Sequence, residues 1–123
     1  MTAPRILIVE DEFLIRLTLS EALSDDGFEV IEASSGDEAL ALIGAADRID
    51  LLLTDIQLPG RTNGRAVARA ARERAPDLPV IFISGRLEDD AGGTTPRELH
   101  IKKPYLPSDV CAAARRLAGR AQA

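Results

Sequence analysis

Short apolar runs alternate with stretches of helical periodicity along the chain. Ile6-Leu7-Ile8-Val9 is a continuous apolar run, the pattern of a strand buried on both faces. In residues 12–26, Ile15, Leu19, Ala22 and Leu23 recur at i, i+4, i+7 and i+8, which predicts an amphipathic helix stopped by Gly27. Residues 28–33 mix charge with β-formers and predict an edge strand. Ser34 or Ser35 then caps a helix carrying Ala39, Leu40, Leu42 and Ile43, with Glu38 three residues after Ser35 as in a capping box. Leu51-Leu52-Leu53-Thr54 is the next buried run and leads into Asp55. Residues 58–64 have loop composition, and residues 65–74 predict an Ala/Arg-rich helix that stops before Pro76. Residues 79–84 form the most β-branched strand. Residues 85–96 show weak helical periodicity, residues 99–102 a short last strand, and residues 107–120 a final helix with Val110, Ala114 and Leu117 inward.

Strands alternating with helices imply βαβ units and a parallel sheet. Right-handed crossovers and short connections then favour an α/β, doubly wound, three-layer sandwich. At 123 residues and 46% apolar content, the chain is expected to be one domain, 1–123, with a core of about 4–120. A net charge of −5 argues against bulk attraction to nucleic acid or an acidic membrane. The scarcity of aromatics disfavours base stacking. Cys111, the single cysteine, leaves no internal disulfide and no Cys-rich zinc site; it is expected to be a small core residue. No apolar run approaches the roughly 18 residues of a membrane span, and the N-terminus lacks a signal-peptide layout. The expectation is a cytoplasmic protein that binds no nucleic acid directly and no membrane.

In open α/β sheets, ligands bind beyond the carboxyl ends of the strands. The strand ends here carry Glu10-Asp11-Glu12, then Asp55, then Ser84-Gly85, then Lys102-Lys103-Pro104. Three carboxylates, Glu10, Asp11 and Asp55, gathered at one sheet edge would repel one another, and a hard divalent cation such as Mg²⁺ relieves that repulsion. A lysine and a hydroxyl at the same rim add a cation and a donor, which together suit a phosphoryl group carried on a carboxylate.

Val9-Glu10-Asp11-Glu12, the Asp55-Ile56-Gln57-Leu58-Pro59-Gly60 segment, Ile83-Ser84-Gly85 and Lys103-Pro104 together resemble the receiver domain of two-component response regulators. The stand-alone, chemotaxis-regulator-like type is the nearest in form. The resemblance spans nearly the whole chain and implies a flavodoxin-like (βα)5 sandwich with a five-stranded parallel sheet in order 2-1-3-4-5. It implies Asp55 as phosphoacceptor, with Asp11, Asp55 and the Gln57 main-chain carbonyl on Mg²⁺ and Glu10 acting through water. Lys103 would pair with phosphoryl oxygens, and Ser84 would donate to them and swing toward them. The Lys103–Pro104 bond would be cis. Lys102 competes with Lys103, but adjacent strand residues point opposite ways and the Lys-Pro dipeptide favours Lys103. A sensor histidine kinase or histidine phosphotransferase would donate the phosphoryl group. With no output domain after Ala123, the signal would leave through an unidentified downstream protein or by onward transfer. The chain would be no metabolic enzyme, catalysing only its own phosphorylation and dephosphorylation. A phosphorylation-independent pseudo-receiver is the alternative, against which the intact Asp55, Asp11, Lys103 and Ser84 set argues. A phosphatase-type hydrolase is a third reading, disfavoured by Ile56-Gln57 after Asp55 and by the short chain.

Three departures stand out. His100 occupies the place three residues before the lysine where the family often has an aromatic switch residue. The loop after Asp55 is longer than usual by about one residue, through Arg61-Thr62-Asn63. The Ser84-to-Lys103 spacing is shorter, and Gly92-Gly93 and Thr94-Thr95-Pro96 are poor helix formers, so the fourth helical segment is expected to be short or mobile.

On the first helix, Phe13, Leu14 and Leu17 point roughly opposite the core stripe. A helix packed on a sheet needs only one apolar stripe, so this second one is read as a docking surface for the helices of a kinase or phosphotransferase. Arg65, Arg69 and Arg72 share one face of their helix, expected to be solvated.

Overall fold

The computed structural model describes residues 3–85 and 97–122. The apolar runs become five strands: β1 (Arg5–Val9), β2 (Glu29–Ala33), β3 (Leu51–Asp55), β4 (Val80–Ser84) and β5 (Glu98–Lys102). Between and after them lie α1 (Phe13–Asp25), α2 (Gly36–Ala45), α3 (Gly64–Arg74) and the last helix, α4 (Pro107–Gln122). The strands pair in parallel in the order β2-β1-β3-β4-β5, as expected. The expectation of a short or mobile helix between β4 and β5 falls on residues 86–96, which lie outside the described residues.

Alternation along each strand divides the core into two layers. Ile6, Ile8, Leu51, Leu53, Ile81 and Ile83 face α1 and α4, where they meet Leu19, Leu23, Val110, Ala114 and Leu117. Leu7, Val9, Leu52, Val80 and Phe82 face α2 and α3, where they meet Ala39, Ile43, Val67, Ala68 and Ala71. This explains why the central strands carry unbroken apolar runs: both faces are covered. Edge strand β2 keeps Glu29 and Glu32 exposed, tied to Arg5 and Arg16 at 3.1 Å each. Cys111 is buried in the first layer.

The helix ends follow local chemistry. After α1, Phe28 N donates to Leu23 O at 3.0 Å and Gly27 N to Ser24 O at 3.1 Å, with Gly27 at φ +95°. That is a Schellman closure, and its left-handed residue favours glycine. At α2 the cap is Ser35, whose Oγ accepts from Glu38 N at 3.1 Å, while Glu38 Oε1 accepts from Ser34 N at 2.6 Å. Asn63 Oδ1 caps α3 by accepting from Ala66 N at 2.9 Å.

Candidate functional site

The acidic cluster is assembled by the sheet. One residue past β1, Glu10 N still donates to Ala33 O at 3.1 Å, which draws Glu10 into the carboxyl edge. Arg16 Nη1 donates to Glu10 O at 2.8 Å and fixes the same peptide from α1. Asp55 is the last residue of β3, the neighbour of β1. Glu10 and Asp55 are 2% and 4% exposed, whereas Asp11 is exposed. Glu10, Asp11 and Asp55 each bring a carboxylate oxygen within 4.8 Å of the others.

Burial sets the electrostatics. Loss of solvent pushes the Glu10 carboxyl from its ordinary 4.5 up to about 7. The Glu12 N–H, which donates to Glu10 Oε2 at 2.9 Å, opposes this rise, while the Asp55 charge and a hydrogen bond with Asp11 add to it. Lys103 Nζ donates to Asp55 Oδ2 at 3.0 Å. Partial burial pulls the Lys103 pKa down, but that bond and the charges of Asp55, Glu10 and Glu12 outweigh it and raise it above its ordinary value. Tyr105, half-buried just beyond, is pushed up to about 12 by burial, with Glu10 and Asp55 adding to the rise.

The remaining site residues come from neighbouring strand ends. Ser84 ends β4 and is buried, and Lys103 N donates to its carbonyl at 2.8 Å. The Lys103–Pro104 bond is cis, and of the two lysines it is Lys103 that reaches Asp55. Gln57 follows buried Ile56 at the start of the loop after Asp55 and is exposed. His100 sits opposite Phe82 in the β4–β5 ladder, with ring centroids 5.2 Å apart. Its side chain is 9% exposed, with Nε2 at 3.7 Å from Glu98 Oε2.

Phe13, Leu14 and Leu17 are exposed beside this edge, and the Arg16 guanidinium lies 5.6 Å from the Phe13 ring centre. Leu14 also lines a groove of about 390 Å³ whose far wall is Lys103, Pro104, Tyr105 and Pro107, with exposed Leu106 in the same segment. Of the stripe Phe13, Leu14 and Leu17 named from the sequence, only Leu14 lines this groove, and the second wall was not named. Its signal was Leu106 between two prolines just after the key lysine. The basic face of α3 is not simply solvated. Arg72 Nη1 reaches Glu98 Oε1 at 2.6 Å, and the Arg65 guanidinium lies 5.4 Å from the Phe82 ring centre.

Among the described residues, two buried carboxylate oxygens, Glu10 Oε1 and Asp55 Oδ1, have no hydrogen-bond partner. Orphaned acceptors at such depth are rare, and a hard cation satisfies them. With Asp11 beside them, the donor set is all oxygen and fits a divalent ion.

Comparison with known proteins identifies the family. Residues 6–114 match the response regulator receiver domain. The aerobic respiration control protein ArcA of Escherichia coli K12 is 37% identical over 123 residues, covering 98% of this chain and 50% of that protein. The chain spans about half the length of the curated relatives it matches. A response regulator receiver protein from Sinorhizobium medicae superposes with a TM-score of 0.88 at 32% identity, covering 95% of each chain. Response regulator TrrA of Thermotoga maritima, solved in complex with Mg²⁺-BeF, superposes at 0.79 with 28% identity, over 93% of this chain and 98% of that one. Among the described residues no helix is long and apolar enough to cross a membrane. The family match over residues 6–114, sequence identity over nearly the full chain and a shared fold make this protein a member of the response regulator receiver domain family.

Proposed function

We propose that this receiver domain is a phosphorylation switch that takes a phosphoryl group onto Asp55 from the phosphohistidine of a sensor histidine kinase or histidine phosphotransferase. Response regulators work with histidine kinases and downstream targets, and receiver domains generally bind Mg²⁺ at an acidic pocket. One observation carries the reading. The buried Asp55 carboxylate holds Lys103 on Oδ2 at 3.0 Å, while its Oδ1 and the nearby Glu10 Oε1 are buried without partners among the described residues.

Asp11, Asp55 and the Gln57 main-chain carbonyl would hold Mg²⁺, with Glu10 acting through water. The bound ion supplies charge neutralisation for the acids and for the phosphoryl oxygens. An Asp55 carboxylate oxygen attacks phosphorus in line. The O–P bond forms as the P–N bond breaks, and the donor imidazole leaves with that electron pair. Lys103, already seated on Asp55, balances the added negative charge without rearranging. Ser84 donates its hydroxyl to the phosphoryl group. Its movement, with that of His100 against Phe82, alters the β4–β5 surface read by a downstream protein. Phe13, Leu14 and Leu17 dock the donor's helices next to Asp55. The chain turns over no substrate besides its own acyl phosphate.

The test is intact-mass analysis after incubation with Mg²⁺ and acetyl phosphate, with Asp55→Asn alongside. One phosphoryl group on the wild type and none on the variant is the expected result. A wild type labelled neither by acetyl phosphate nor by a panel of histidine kinases overturns the reading in favour of a phosphorylation-independent interaction module.

A further inference from the structure

Residues 56–63 leave Asp55, pass the pocket and return to α3. The loop closes on itself at the base. Gly64 N donates to Ile56 O at 3.0 Å, and a Cβ on Gly64 would lie 2.9 Å from the Asp55 carbonyl carbon. Leu58 anchors one flank in the core layer beneath α2 and α3. The far end is largely exposed at Arg61 and Asn63, with Thr62 half-buried between them. It rests on the first turn of α2, where Thr62 Oγ1 donates to Asp37 Oδ1 at 2.7 Å. The Thr62 side chain also packs flush on Gly36. A Cβ there would lie 2.7 Å from Thr62 Cβ and 2.8 Å from its Cγ2, and would overlap its carbonyl oxygen. The seat is firm, because the Ser35–Glu38 capping box fixes that turn.

We propose that the Thr62–Asp37 contact is a positioning clamp that sets how tightly the acidic pocket takes Mg²⁺. The proposal rests on the receiver chemistry argued above and adds two residues that do not touch the ion. Mg²⁺ demands near-ideal octahedral geometry, so each oxygen donor must be held closely in place. The Gln57 carbonyl would be the donor contributed by this loop. Asp55 and Ile56, before it, are fixed by the sheet: Ile56 N donates to Ile83 O at 3.0 Å. After it, Leu58 and the clamp at Thr62 hold the chain. With the clamp open, the loop samples other arrangements and must be reordered when the ion binds, which subtracts from affinity. The extra length of the loop through Arg61-Thr62-Asn63 thereby acquires a role: it carries the loop to α2.

Calorimetric Mg²⁺ titration of the full chain tests this, with melting in EDTA as the control. Thr62→Val keeps the packing on Gly36 and loses only the hydroxyl. It should weaken Mg²⁺ binding by about two- to fivefold, with the rest of the hydrogen bond's contribution appearing as a drop of up to a few degrees in EDTA melting. Thr62→Ser should restore affinity, and Thr62→Val combined with Asp37→Ala should be no worse than either alone. Gly36→Ala, whose methyl displaces Thr62, should weaken binding at least as much. Acetyl-phosphate labelling of Thr62→Val should be slow at low Mg²⁺ and reach the wild-type rate at saturation. If Thr62→Val binds Mg²⁺ like a wild type that is itself labelled, or lowers only the EDTA melting temperature, the clamp is overturned alone. A wild type that neither binds Mg²⁺ nor becomes labelled overturns the receiver chemistry and the clamp with it.

Discussion

Replacing Glu10 by Gln should strengthen the metal-free fold at alkaline pH while weakening its hold on Mg²⁺. Glu10 is 2% exposed, and its Oε1 has no partner among the described residues. Its carboxyl is pushed from 4.5 to about 7, first by burial and then by Asp55 and Asp11 against the Glu12 N–H. At about 1.4 kcal/mol per pKa unit, that rise corresponds to on the order of 3 kcal/mol. The sign follows from proton counting. Below pH 4.5 both folded and unfolded chains hold the proton, and the stability is intact. Between 4.5 and 7 the unfolded chain releases it first, so stability falls as pH rises. Above 7 the loss is complete, because the folded state then carries a desolvated charge. Gln keeps an acceptor for the Glu12 N–H and carries no charge. In EDTA, urea denaturation should show the two proteins nearly equal at acid pH. At pH 8.5 Glu10→Gln should be ahead by about 1–3 kcal/mol, or several degrees in Tm for a domain of this size. Groups that titrate alike in both proteins cancel in this difference. Added Mg²⁺ should narrow the gap, since it stabilises the form that binds it better. A difference independent of pH, or a less stable Glu10→Gln at pH 8.5, would refute the desolvation argument.

Two further outcomes follow from the same geometry. Gly64→Ala puts a methyl group against the Asp55 carbonyl carbon, 2.9 Å away, where only backbone can give way. A loss of about 2–4 kcal/mol in urea denaturation is expected, together with reduced acetyl-phosphate labelling, and wild-type values for both would show that β3 and α3 are not so tightly joined. Leu17→Arg charges the exposed stripe of α1 without touching the core. It should slow phosphotransfer from a cognate kinase at least tenfold while leaving acetyl-phosphate labelling intact, and equal loss of both would refute docking there.

Much of the fold was legible because its signals are local. Ile6 to Val9 and Leu51 to Leu53 are apolar without interruption, and strands covered on both faces require that. The Ser35–Glu38 capping box lies within four residues. The acids could be placed at one edge because parallel strands all end on the same side. Lys103 could be preferred over Lys102 because side chains alternate, and its contact with Asp55 agrees. The basic face of α3 was misread as solvated because Arg72 meets Glu98 across 26 positions of chain. The second wall of the groove, with Tyr105 and Pro107, was missed for the same reason: it faces Leu14 only once α1 and α4 lie on one sheet face.

By itself the sequence determined the element types, the α/β class and the set of side chains presented at the strand ends, since these depend on periodicity, caps and punctuation within a few residues. The tertiary structure decided how those side chains behave. It left Glu10 Oε1 and Asp55 Oδ1 as buried acceptors, raised the Glu10 pKa to about 7, seated Lys103 on Asp55 and laid Thr62 on Gly36. The physical reason is that desolvation and charge coupling are properties of neighbours. Here the neighbours are brought together by strand order and register across tens of residues, and no local pattern encodes the depth at which a carboxylate comes to rest.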